Sequence, residues 1–316
     1  MVVSRYEKNV LQQPELIRRI LDAPAPAWFA TLKRRKRVFF VGVGSSFHAA
    51  QISQRLWRRF VSTEAWAEHS FDFVKEPQPV DRGDVVVLFS HRATKSYTVQ
   101  AAAKAKKAGA TTVAVTGVGA KWSVKVDYRL DSCELEDTGA FTKSLTTTLA
   151  WIARWIGTKK LLDGLRTACD SIAEGPAFPT FAADTDVVLV GDLEGEWVAR
   201  EASLKLEEAA YLRARPFGLE EFLHGPQISA AQGSFVLGFP SDKEPRWDAL
   251  RGYLRTVEVP LMELPTRGLG PEAAWLWRIF WVQRMTAAIC SDLSIDPDAL
   301  RDTDPRYLAA KKSLAL

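Results

Sequence analysis

The sequence predicts an α/β protein made of two copies of one unit, each a parallel sheet covered by helices. Short runs that are apolar throughout, Val38 to Val41, Val85 to Phe89 and Thr111 to Thr116, alternate with segments of helical composition, as strands buried on both faces do. The same pattern returns at an offset of about 149 residues. The length of 316 residues, 47% hydrophobic and 25% charged, suits two globular domains of roughly 150 residues each.

Val38-Phe39-Phe40-Val41 ends in Gly42, and Ser45 and Ser46 then open apolar spacing at Ala49, Ile52, Leu56 and Phe60, which reads as strand, loop and helix. Val85 to Phe89 ends at Ser90 and leads into a helical stretch, Ala101 to Ala108. Thr111 to Thr116, bounded by Gly109 and Gly117, is a third strand, and Phe141 to Ile156 reads as the long helix closing the first copy. Gly175, Pro176 and Pro179 mark a linker within Glu174 to Thr185, so the boundary is expected near residue 180, with domains 1–180 and 181–316. In the second copy, Val187 to Gly191, Phe235 to Leu237 and Pro260 to Leu264 project from the three strands of the first.

Charge and composition narrow the function. The net charge is +4, and much of the local excess is one run, Lys33 to Arg37, which reads as a solvated helix end; no nucleic-acid groove is expected. No stretch approaches the roughly 18 apolar residues of a spanning helix, and MVVSRYEKNV lacks the core of a signal peptide, so the expectation is a cytoplasmic protein without a membrane partner. Cys133, Cys169 and Cys290 lie far apart, without the pair spacing of a zinc site or a disulfide framework; they are expected to be inert, and no metal or cofactor is expected.

Ligands of open parallel sheets bind beyond the carboxyl ends of the strands, and two polar loops occupy that place, Gly42 to Ser46 and Ser90 to Ser96. Their hydroxyls and cations suit a phosphate; alternatively, Ser45 or Ser46 caps a helix. Phe47 at the third glycine position excludes a dinucleotide fingerprint, and no Walker loop is present. Glu201, Lys205 and Glu208 are spaced i, i+4, i+7 beside the apolar stripe Val198, Ala202, Leu206 and Ala209, so one helical face carries acid, base and acid, whether as a catalytic group or as a surface salt-bridge ladder. His224, in Leu-His-Gly-Pro, follows on a turn. Glu208 as base and His224 as acid could transfer protons at neutral pH, whereas His48, His69 and His91 read as structural or ligand-adjacent.

Together these motifs resemble the sugar isomerase (SIS) domain family, specifically the tandem isomerase half of the glutamine:fructose-6-phosphate amidotransferases. Gln12-Gln13-Pro14-Glu15 is similar to the family's E-Q-P lead-in, and Gly44 to Ala49 to its G-T-S-x-x-A phosphate loop, which places Ser46 on the phosphate-binding serine. Ser90 matches the first serine of S-x-S-G-x-T, with His91 beside it, but Arg92, Ala93 and Lys95 replace the second serine, the glycine and the threonine. Either two cations stand for two hydroxyls as anion partners or the anion sits differently, and alanine in place of glycine is expected to change the turn. Glu136 falls on a substrate-proximal glutamate. The most specific match, E-x-x-L-K-L-x-E followed by H-G-P, places Lys205 and Glu208 in the active site, Glu208 as the C1/C2 proton-transfer base and His224 as the ring-opening histidine. The ending from Pro305 resembles P-R-x-L-x-K, which makes Lys311 or Lys312 the tail lysine.

The resemblance implies two tandem SIS domains, each a three-layer αβα, flavodoxin-like sheet. It also implies a phosphosugar aldose/ketose isomerase, here of the amino-sugar 6-phosphate deaminase type. A sugar-phosphate-binding regulator without turnover and a fructosamine-6-phosphate deglycase are the alternatives. Residue 2 is valine and no cysteine precedes Cys133, so glutamine hydrolysis by the family's terminal cysteine is not expected. The partners implied are a sugar phosphate and a second copy of the chain, with active sites shared in a homodimer. Trp275, Trp277, Phe280 and Trp281 are expected to serve either that interface or the core.

Overall fold

A computed structural model describes residues 3–77 and 79–314. In chain order the elements are α1 (Arg5–Asp22), α2 (Trp28–Leu32), β1 (Arg37–Gly42), α3 (Ser45–Phe60), β2 (Glu64–His69), α4 (Ser70–Lys75), β3 (Val85–Phe89), α5 (Ser96–Lys107), β4 (Thr111–Thr116), β5 (Tyr128–Asp131), α6 (Lys143–Ile156) and α7 (Lys159–Asp170). They continue with β6 (Asp186–Gly191), α8 (Glu194–Ala209), β7 (Arg213–Gly218), α9 (Leu219–Leu223), β8 (Ser234–Phe239), α10 (Arg246–Thr256), β9 (Leu261–Glu263), α11 (Pro271–Asp292) and α12 (Pro305–Ser313).

Two all-parallel sheets result, in the orders β2-β1-β3-β4-β5 and β7-β6-β8-β9. The first has the 2-1-3-4-5 order of flavodoxin-like sheets, and the second is its first four strands again. The repeat holds residue by residue: β1, α3 and β2 begin at 37, 45 and 64, and β6, α8 and β7 at 186, 194 and 213, an offset of 149 each time. β1 and β3 are buried almost throughout because helices cover both faces, which is why they carry no polar alternation. β2, β5 and β7 escape a search for apolar runs because Glu64, Glu68, Arg129, Arg213 and Arg215 interrupt them. They lie at sheet edges, where one side of the strand is wet.

The turn from strand to helix is built the same way twice. A Cβ on Gly42 would run into the backbone of Ser46, and one on Gly191 into that of Gly195, so each helix N-terminus crosses directly over the strand end. The next turn residue has positive φ in both copies, 57° at Gly44 and 50° at Leu193.

Each sheet centres a compact unit. One comprises Leu11–Asp137, Phe141–Asp163 and the chain from Arg301; the other comprises the chain up to Val10, Thr138–Ala140 and Gly164–Leu300. The division differs from a single boundary near 180 because residues 164–176 are fastened to α11. Arg284, Trp277 and Trp281 donate to the carbonyls of Ile172, Glu174 and Pro176, and Gly164 lies against Ala273. At the other end of the chain, the amides of Arg5 and Tyr6 donate to Asp298. Trp275, Trp277, Phe280 and Trp281 are buried in the second-sheet unit, so this stripe is core in the chain itself. Burial also raises the thiols of Cys133, to about 11, and Cys290, to about 12. Both stay protonated and unreactive at neutral pH.

Candidate active site

In the first-sheet unit, Ser45 and Ser46 open α3 and are partly exposed. Gly44, not a serine, is the N-cap, so neither hydroxyl occupies the N-cap position itself. The second loop follows β3, beside β1 at the point where strand order reverses. It is pinned to the end of β4: Ser90 N donates to Val115 O (3.2 Å), Gly117 N to His91 O (2.9 Å) and Thr116 Oγ1 to Ser90 O (2.7 Å). Ala93 has φ of 57°, so the turn keeps the glycine conformation despite its side chain, contrary to the expected change. Lys95 stands exposed at the N-cap of α5. Arg92 donates to Glu136 O (2.8 Å) and lies 4.9 Å over the Phe141 ring, so it is fastened to the loop before α6.

Glu136 is buried, and its carboxylate takes up the start of α6. Oε2 accepts from Thr142 N (2.9 Å), Thr142 Oγ1 (3.1 Å) and Lys143 N (3.3 Å), and Oε1 from Ser144 N (2.9 Å). An anion there satisfies several orphan donors and meets the positive end of the helix dipole. Glu136 N in turn donates to His91 Nε2 (2.8 Å). His91 is therefore neutral with its proton on Nδ1, and its pKa is lowered by burial, by Arg92 and by Lys143, against the pull of Glu136.

Potential ligand atoms of His91, Cys133 and Glu136 lie within 4.8 Å of one another, a grouping that invites a metal. The hydrogen bonding does not fit one. Ligation through Nδ1 would move the proton to Nε2, which already faces an N–H, and both oxygens of Glu136 are engaged by α6. Two atoms of this loop, Ser90 Oγ and His91 Nδ1, are buried without a partner. Such groups are costly unless a ligand or water meets them.

In the second-sheet unit, the stripe Val198, Ala202, Leu206 and Ala209 seats α8, and the charged face beside it is not a surface ladder. The Lys205 and Glu201 side chains are each 1% exposed, while Glu208 is 36% exposed. Lys205 Nζ lies 2.7 Å from Glu208 Oε2 and 3.7 Å from Glu201 Oε1, a buried cation between two acids with only the outer acid open to solvent. Tyr6 on α1, fully buried, adds a neighbour that the motif search missed. Burial raises its pKa, and Cys290, Glu201 and Glu208 add to that. Its place in the stripe Tyr6, Val10, Ile17, Ile20 was the only available signal.

His224 ends α9, and its imidazole pairs with Glu220 (2.8 Å) rather than with Glu208. Lys311 is ion-paired to Asp302, and Lys312 is exposed. All residues of α12 lie open. Among the described residues, no helix is long and apolar enough to cross a membrane.

Comparison with known proteins gives these clusters a context. A SIS domain model matches residues 31–154. The glutamine–fructose-6-phosphate aminotransferase of Encephalitozoon cuniculi is 21% identical over 258 residues, 72% of this chain and 36% of the enzyme. This chain spans between 36% and 44% of such relatives. Among solved structures, the C-terminal domain of the Francisella tularensis glucosamine-fructose-6-phosphate aminotransferase superposes with a TM-score of 0.77 at 15% identity, covering 93% of this chain and 98% of that one. A glucosamine-6-phosphate deaminase from Thermotoga maritima gives 0.74 at 18% identity, covering 94% and 97%.

Proposed function

Because residues 31–154 belong to the SIS domain family and the chain is homologous to the isomerase part of those aminotransferases, we propose that it is a phosphosugar aldose/ketose isomerase that deaminates an amino-sugar 6-phosphate. Two tandem SIS domains, one on each sheet, form its working unit. The observation that carries the reading is the Glu201–Lys205–Glu208 face, where a buried ammonium fixes an acid that solvent and substrate can still reach.

The phosphate is held by the hydroxyls of Ser46 and Ser90 and the cations of Arg92 and Lys95, with Ser45 and His91 flanking. The partnerless Ser90 Oγ supports this. Glu136 fixes the start of α6 and, through Arg92, the shape of the phosphate loop. His224 assists opening of the sugar ring. Glu208 then takes the C2 proton of the open-chain amino sugar and delivers it to C1. The enolamine becomes a C2 imine, and water adds to it and releases ammonia, leaving a ketose phosphate. Lys205 holds Glu208 in place through their 2.7 Å contact, and Lys311 or Lys312 of the tail meets the carbonyl end. Proton shuttling of this kind contributes about 100- to 10,000-fold. In this reading His224 serves a second copy of the chain in a homodimer, which its 67% side-chain exposure supports.

Incubation with glucosamine 6-phosphate, fructose 6-phosphate plus ammonia, and a fructosamine 6-phosphate, following ammonia and ketose, tests the reading. Turnover of the first supports it. Turnover of the third alone moves the assignment to a deglycase, and micromolar binding without any turnover makes the protein a sensor and sinks the enzyme reading.

A further inference from the structure

His224 does not stand alone on its turn. Gly218 is the N-cap of the single-turn helix α9, and Glu221 returns to its amide (3.2 Å), which fixes the register of the two residues that follow from it, Glu220 and His224. Their four-residue spacing puts Glu220 Oε1 2.8 Å from His224 Nε2. From the first turn of α10, Arg246 Nη2 approaches the same oxygen at 3.0 Å. The other charges around the pair are already engaged. Arg200 of α8 reaches Glu221 at 3.4 Å and Glu196 at 3.1 Å, and Glu244 accepts from Arg246 N at 3.0 Å. Glu220 and Arg246 line an open cleft of about 500 Å³ at the ends of β6 and β7, together with Asp192, Leu193 and Glu196.

We propose that Glu220 is a positioning residue for His224. A carboxylate only accepts, so the pair assigns the proton to Nε2 and leaves Nδ1, which has no bond among the described residues, as the basic nitrogen. Nδ1 takes the proton of the anomeric hydroxyl and returns it to the ring oxygen as the C1–O5 bond breaks and the C1 carbonyl forms. Arg246, 3.0 Å from the same carboxylate oxygen, holds Glu220 in place. This inference rests on the reading of His224 as the ring-opening group.

The experiment compares full-length wild type, Glu220→Ala and Glu220→Gln, each labelled with ¹⁵N-histidine. Two readouts are taken: the Hε2 signal of His224 at low temperature, identified by its loss in His224→Asn, and kcat and KM with glucosamine 6-phosphate. The expected result is a slowly exchanging Hε2 in wild type that is lost in Glu220→Ala. With it, kcat falls about tenfold while KM stays within twofold. Glu220→Gln keeps both signal and rate, because its amide oxygen accepts the same proton. An unchanged Hε2 signal in Glu220→Ala, or a kcat equal to wild type, overturns the proposal. The spectroscopic arm needs no substrate, so it still decides the Glu220–His224 link if wild type turns over none of the sugars.

Discussion

Replacing Glu136 by glutamine should loosen α6 while leaving its shape intact. The amide oxygen can take the place of Oε2 and keep its three donors, from Thr142 and Lys143, but the amide nitrogen then faces Ser144 N–H. One buried donor is left unmet, at about 1–3 kcal/mol. The negative charge at the helix N-terminus is also lost, worth up to ~2 kcal/mol where partly buried. A combined cost of about 3 kcal/mol corresponds to roughly 100-fold faster amide exchange. Hydrogen exchange read by mass spectrometry on peptides covering residues 142–156 measures this directly. An acceleration below about threefold would refute the assignment of Glu136 as the anchor of α6.

Ala93→Gly should stabilise the protein by about 0.5–1 kcal/mol in urea unfolding, since alanine at positive φ costs ~1–2 kcal/mol and glycine gives part of that back in chain entropy; no gain would mean the turn is not strained. Lys205→Met should destabilise by about 3–5 kcal/mol, because Glu201 stays buried without its cation, and adding Glu201→Leu should recover much of the loss. Strict additivity of the two changes would contradict a buried pair. Burial lowers the pKa of His91, so the folded state binds its proton less readily than the unfolded chain, whose histidine titrates near 6.5. The stabilising effect of neutral His91 is therefore complete above about pH 6.5 and declines as pH falls below it, at up to ~1.4 kcal/mol per unit until the folded-state pKa is passed. Denaturation midpoints at pH 7.5 and 5.5 should show a smaller drop in His91→Gln than in wild type, and equal drops would count against a buried neutral imidazole.

The central strands could be read from sequence because covered strands are apolar on every residue, as Val85 to Phe89 is, and the 149-residue offset carried the reading into the second copy. The edge strands could not, because Glu64 or Arg213 answers to solvent and to neighbouring charges rather than to a buried face. At the site, the spacing of Glu201, Lys205 and Glu208 was visible, but whether that face was wet or buried depended on α11 packing against α8 from far along the chain. Glu136 illustrates the same limit. Its resemblance-based place beside the substrate gave no hint that both oxygens close the start of α6. Ala93 misled in the other direction, since a pinned loop holds an alanine where residue preference alone argues for a different turn.

Proton transfer by Glu208 is the claim on which the functional account stands. In D₂O with fructose 6-phosphate, wild type should replace one C1 hydrogen with deuterium, seen by proton NMR. Glu208→Gln should bind the sugar phosphate as wild type does and exchange no hydrogen. Exchange by the variant at the wild-type rate would contradict the account.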